Sequence, residues 1–343
     1  MKKLIAMGII VGTIMGQDPI TVSNVPGAAA DFNDLQTALT ASIAGSIIYV
    51  YGSSSTYGDI NITKSVTLIG AGMFSDSPSL NRSKVGSVTF SLFQTDTSNG
   101  SSIIGFQATS EITVSTGLHD IRIERNIGKQ INLTNNHNIY IINNFLDYSE
   151  ASASSQNISM TECADVNIIN NFIRLTGGTN SSGPASCVSG NNALVINNYM
   201  YAHNSYNSPE FGIISGSDII IENNIFGEGG GQFSGVRNSQ FRNNLYTSAL
   251  PIGTNQNTGS SNIVGNAIFE SSVFGELDFH MHGFSSLGIA VGTDGSDLGI
   301  QGGIYPFSNA YMPALPYVQQ MNVPAIAPAN GSINVEVIGK SHN

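Results

Sequence analysis

The chain has 343 residues, enough for one large domain or two ordinary ones. Only 10% of its residues are charged, with 12 Lys and Arg against 23 Asp and Glu, for a net charge of -11. Helix surfaces are normally covered by Glu, Lys and Arg, so this composition argues against a helical enzyme, and the lack of any basic run argues against nucleic-acid binding.

Lys2 and Lys3 precede an apolar run, residues 4–15, that is too short to span a bilayer. Gly16, Gln17 and Asp18 follow, which is the layout of a secretory signal peptide. Cleavage near Gly16 is expected, leaving a bacterial chain that is secreted or held at the cell surface, with no other apolar run to span a membrane. Next, Asp31 or Asn33 is placed to cap a short helix with Phe32, Leu35, Leu39 and Ile43 on one face and Gly45 at its end. Residues 47–50 read as the first strand.

The middle of the chain repeats itself. Asp120-Ile-Arg-Ile-Glu-Arg-Asn126-Ile returns as Asn138-Ile-Tyr-Ile-Ile-Asn-Asn144-Phe, and again ending at Asn171, Asn198, Asn224 and Asn244, with a weaker copy ending at Asn266. These terminal Asn residues are 18, 27, 27, 26, 20 and 22 apart. Apolar residues alternate with polar ones, the period of a strand. So short a unit buries its apolar face only by stacking on copies of itself, which predicts a solenoid. The terminal Asn is expected to take the left-handed conformation at a corner and to hydrogen-bond to its counterparts above and below. An earlier strand in each coil places Ile131, Leu133, Ile158, Met160, Ala185, Cys187, Phe211 and Ile213 inward.

With these motifs the chain resembles the right-handed parallel β-helix proteins of the pectin-lyase-like type, most clearly from Asp120 to Phe269. The segment Val66-Thr-Leu-Ile-Gly-Ala-Gly72 resembles an early coil of such proteins, and 292–303 a closing segment in secreted β-helix proteins of Bacteroidetes-type bacteria. The expected fold is all-β, a single-stranded right-handed parallel β-helix over 17–305 with an N-terminal capping helix. A Pro-containing strap and strand over 306–343 complete the expected chain.

The resemblance implies polysaccharide as partner, with lyase or hydrolase activity open, but it stops at the fold. Trp is absent, no Asp-Asp pair occurs, and no Lys lies between Lys129 and Lys340, so a uronate-neutralising cation must come from Arg122, Arg125, Arg174, Arg237 or Arg242. The best binding candidates are Tyr201, His203, Tyr206 and Glu210, suited to stacking on sugar rings and bonding hydroxyls, with Arg237 adding a preference for acidic sugars. The competing reading is a noncatalytic structural or adhesive surface protein, a monomer in either case. No cofactor is expected; Asp294 and Asp297 in a Gly-rich loop are the Ca²⁺ candidates, and Asp278, His280 and His282 have Zn²⁺-like spacing without a third firm ligand. The repeat-start column, Asp120, Asn138, Asp165, Asn192, Asp218 and Asn238, reads as turn residues. Outward Thr134, Ser159 and Thr161 would suit ice, with Val188 and Ile214 interrupting the array. Cys187, aligned with Met160, and Cys163, near a corner, should diverge and stay free.

Overall fold

A computed structural model describes residues 18–73, 81–94, 96–151, 155–177, 185–204, 211–227, 233, 235–247, 250–267, 287–307, 317–322 and 336–340. The chain is a right-handed parallel β-helix. A full coil contributes one strand to each of three parallel sheets; among the described residues sheet A has eleven strands, sheet B seven and sheet C nine, because the coils at the two ends do not supply all three. One turn runs from Arg122–Glu124 in sheet A through Ile127–Gly128 in sheet C to Gln130–Thr134 in sheet B, and re-enters sheet A at His137–Ile142.

Period-two alternation sets the interior. In sheet B, Val88, Ile112, Ile131 and Ile158 stand in register and are fully buried. The next strand continues the column with Val188, and the one after with Ile214, both 0% exposed. This corrects two expectations. Val188 and Ile214 face inward, and Cys187 is not the counterpart of Met160, because the sheet B offset between these coils is 30 residues while the repeat starts are 27 apart. Cys187 is nonetheless fully buried, on a strand whose residues 185–188 are all buried. Both thiols are free.

Helix α1 spans Leu35–Ala41 and covers the N-terminal end. Its cap is Asp34, whose Oδ1 accepts from Thr37 N at 2.7 Å and Thr37 Oγ1 at 2.6 Å. Asp31 instead accepts from Thr21 N and Oγ1, and Phe32 bridges Val22, so the chain is still extended there. Leu35, Ala38 and Leu39 are buried, whereas Ile43 lies beyond the Ser42 C-cap and is 61% exposed.

At the corner between sheets A and C, the two roles expected of one Asn are split between neighbours. The left-handed residue is the first of each pair, with φ +54 at Asn143, +53 at Asn170, +56 at Asn197, +55 at Asn223 and +49 at Asn243. The second, buried in each case, bonds from coil to coil: Asn126 Nδ2 donates to Asn144 Oδ1 at 3.1 Å, Asn144 to Asn171, Asn171 to Asn198 and Asn198 to Asn224, each at 3.0 Å. Asn244 donates to Asn262, so the run ends four residues before Asn266. Ser261, with φ +56, takes the left-handed place before it, which hides the pair from a search for Asn-Asn.

The first residues of these pairs hold a second element. Residues 287–307 run back along the solenoid: Asn243 Nδ2 donates to Val291 O at 2.7 Å, Asn223 exchanges bonds with Thr293, and Asn170 Nδ2 donates to Ile300 O at 2.9 Å and Gly302 O at 2.8 Å. Gly303 (φ +70) lies against Asn197, where a Cβ would be 1.9 Å from Nδ2, so a side chain there would have to displace Asn197 and strain the backbone. Tyr305 then lies over Arg122, 5.7 Å from ring centroid to guanidinium carbon. This crossing strap ends at the start of the expected Pro-containing segment 306–343, most of which lies outside the described residues. Beyond it, Tyr317–Asn322 and Glu336–Lys340 pair antiparallel, so among the described residues the late strand is paired with Tyr317–Asn322.

Sheet B ends at Phe211–Ser215 among the described residues, while sheets A and C continue to Thr258–Ser260 and Ile263–Val264. There the interior is filled by rings. Phe233 meets Phe226, Phe241 and Tyr246 edge-on, at centroid distances of 5.0, 5.5 and 5.5 Å.

Candidate functional site

On sheet C, Leu146, Ile173 and Met200 point inward and are buried, so the residues that follow them face out. Asp147, Arg174 and Tyr201 therefore stand in one row, in register on successive coils. Arg174 Nε donates to Asp147 Oδ1 at 2.8 Å and Nη2 to Oδ2, a fork-to-fork pair that fixes the guanidinium plane. Two residues further along the strands, Thr176 pairs with His203. The Tyr201 and His203 rings are nearly parallel, with centroids 6.1 Å apart and planes 15° apart.

Beside this row the same sheet carries a ring stack whose two phenylalanines are buried and whose tyrosine is partly buried. Phe145 and Phe172 stack at 4.7 Å with planes 4° apart, and Phe172 and Tyr199 at 5.2 Å, under Ile300 and Phe307 of the strap. The strap thus divides the outer face of sheet C into a covered aromatic row and an open polar one. Gly227 follows Tyr201 in the next coil; a Cβ there would come within 2.4 Å of Tyr199 Oη and 3.2 Å of Tyr201 Cδ2. The glycine leaves the Tyr201 ring edge uncrowded.

Of the residues expected in a sugar site, Tyr201 and His203 are therefore together, while Tyr206 and Glu210 lie outside the described residues. Arg237 is not with them. It bridges Ser217 at the turn that feeds sheet A and lines an open depression of about 380 Å³ with Gly235, Asn238, Asn255 and Gln256. Sequence spacing put Arg237 two coils on, but spacing alone does not say on which side of a coil a residue falls. Arg174, which sequence reading treated only as one of few cations, is the arginine beside Tyr201.

The repeat-start residues Asp120, Asn138, Asp165, Asn192, Asp218 and Asn238 all have φ between +49 and +60. Asn138 donates to Asp120 and Asn238 to Asp218, so in these two pairs an amide of one coil donates to a carboxylate of the coil before it. Hydrogen bonds from His119 and then Asn138 hold the Asp120 carboxyl below the usual range. One residue earlier, His119 and His137 stack at 4.7 Å with planes 23° apart, His119 being bonded to Asn99 and Asp120. The sequence signal for that pair was their 18-residue spacing, the same as Asn126 to Asn144.

Asp294 Oδ1 accepts from Ser296 N at 3.0 Å and Ser296 Oγ at 2.5 Å, which holds its carboxyl below the usual range, and Asp297 Oδ1 accepts from Ala290 N at 2.9 Å. Both carboxylates shape the strap's own turn. Asp278, His280 and His282 lie outside the described residues, and no cluster of three or more His, Cys, Asp or Glu suited to a metal occurs among the described ones.

No family model and no curated protein matches the chain. Among solved structures it is similar to a rhamnogalacturonan lyase, at 12% identity and a TM-score of 0.37, over 80% of this chain and 97% of that one.

Proposed function

We propose that the protein is a secreted, polysaccharide-contacting β-helix that holds a sugar chain along the solenoid axis on the open row of sheet C. The reading rests on one observation above all: Tyr201 stands in register beside Arg174, and Arg174 is fixed by Asp147. A half-exposed ring supplies stacking area, and a locked guanidinium–carboxylate pair offers oriented donors and acceptors to hydroxyls. Coils repeat about every 4.8 Å, so an extended polymer crossing them meets these groups in succession. Charge favours an uncharged polymer: the Arg174 charge is matched by Asp147, and a net charge of -11 repels polyuronates. The placement of Arg237 away from Tyr201 removes the reason to expect acidic sugars there.

The same row favours contact without bond cleavage. Lyases and hydrolases both need a base free to move a proton; the carboxylate of the row, Asp147, is engaged by both its oxygens, so cleavage here would have to use His203. Export fits residues 1–16, and no helix among the described residues is long and apolar enough to cross a membrane. A panel of neutral and acidic glycans, read for binding and for new reducing or unsaturated ends, tests the proposal. Binding to a neutral polymer that Tyr201→Ala weakens at least tenfold, about 1.4 kcal/mol, is expected. Binding that is indifferent to Tyr201, or absent across the panel, would remove the site.

A further inference from the structure

The outer face of sheet B carries a second array, unrelated to the sugar row. Next to the buried column of Val88, Ile112, Ile131 and Ile158 lies an outward row that includes Thr113, Asn132 and Ser159, in register. It extends along the sheet to Ser189 and Ser215, since Val188 and Ile214 point inward and do not interrupt it. Two residues further along each strand a parallel row includes Ser115, Thr134 and Thr161. Across the sheet's seven strands both rows contain only Ser, Thr and Asn, all at least partly exposed. The grid repeats about every 4.8 Å between coils and about 6.7 Å along a strand.

From this geometry we infer that sheet B is an ice-adsorbing face. A soluble protein partner is gripped by a few Trp, Tyr or Arg anchors, and neither row has one. Many identical weak contacts in a lattice add up only against an occupant that has its own repeat, because each contact then makes the next one intramolecular. Both rows are uncharged, and the Glu111 carboxylate at their margin is taken up by Asn132 Nδ2 at 2.9 Å, which favours an uncharged occupant. Crystalline polysaccharide is gripped by rings stacked on sugar faces, and the rows hold no ring. Ice remains: Ser and Thr hydroxyls and the Asn amide each donate and accept hydrogen bonds, as a lattice water does, and Thr adds methyl groups that pack against the lattice.

The experiment grows ice slowly from a solution of the purified full chain and compares the protein trapped in the ice with that left in the liquid, alongside crystal shaping near the melting point. Wild type should concentrate in the ice at least tenfold over a non-binding control protein and should facet the crystals. Ser159→Tyr lifts a ring out of the plane and should lower the trapped fraction at least fivefold; Thr161→Lys, at an exposed position, should do the same with the melting temperature unchanged. Tyr201→Ala should leave uptake unaltered, which separates this face from the sugar row. Exclusion of wild type from the ice overturns the inference, as do Ser159→Tyr and Thr161→Lys variants that are trapped like wild type. Binding to crystalline cellulose or chitin that Ser159→Tyr abolishes, without ice uptake, would reassign the face.

Discussion

Asn171 and Asn198 occupy the same corner one coil apart, and Asn171 makes itself indispensable there from both ends. Its Nδ2 donates to Asn198 Oδ1 at 3.0 Å and to Ile141 O at 2.8 Å, while its Oδ1 accepts from Asn144 N at 2.8 Å. All three asparagines are fully buried.

Asn171→Ala leaves a buried amide proton and a buried carbonyl without partners, so destabilisation of about 3 kcal/mol is expected by denaturant titration. Asn262→Ala should also destabilise, because Asn244 Nδ2 and N both donate to Asn262 Oδ1 at 3.0 Å. Asn266→Ala, at an exposed position, should change stability by no more than about 0.5 kcal/mol. Equal costs at 262 and 266 would contradict the end of the run.

The strap offers a separable test. Asn170→Ala loses two bonds to the strap and also places a Cβ-bearing, non-Asn residue at φ +53. Asn170→Gly loses the bonds alone. Both should raise hydrogen exchange and proteolysis in residues 287–307, and the alanine variant should be about 1 kcal/mol less stable than the glycine variant. A strap as protected as wild type in both would show that Asn170 does not hold it.

Burial pushes the thiols of Cys187 and Cys163 up. The unfolded chain ionises near the ordinary thiol value of about 8.5, whereas the folded chain keeps its protons. Above that pH the native state therefore binds more protons than the unfolded state, and stability falls as pH rises, by up to about 1.4 kcal/mol per pH unit for each thiol. Urea midpoints from pH 7.5 to 10 should decline for wild type and decline less for Cys187→Ala, measured against its own value at pH 7.5. In the native state Cys187 should resist iodoacetamide, with both thiols alkylated only after denaturation.

Arg174→Gln unpairs Asp147 on a surface where both side chains are 23% exposed. The expected loss of stability is about 1 kcal/mol, recovered in part by Asp147→Asn in the same chain. Neutral-glycan affinity should fall with Arg174→Gln and be unmoved by Arg237→Gln, since Arg237 sits at another turn. A glycan effect from Arg237 and none from Arg174 would reverse the assignment.

Much of this architecture was readable in the residues. The alternation around Ile131 and Ile158 gave the strand and its facing, and the recurring Asn-Asn gave the coil. Three things were not readable, each for a physical reason. Which Asn of a pair is left-handed depends on backbone torsion, and both are the same letter. The facing of Val188 and Ile214 depends on register, which is offset by three residues between these coils and so brings both into the inward column. The strap meets Asn170 across 130 residues of sequence, and no local pattern announces a contact of that range. For the sugar row, ring residues on a strand were visible, but Arg174 became Tyr201's neighbour only once the coils were stacked.

A stack in which each coil touches only its neighbours can lose its end coils one at a time, like a fraying rope. The strap changes the mechanics of that rope. By tying the coil of Asn243 to those of Asn223 and Asn170 along one edge, it makes loosening at the C-terminal end a loss felt several coils away. Pulling on the chain from its C-terminal side should therefore peel off residues 287–307 before any coil opens, a sacrificial link that shields the stack from force.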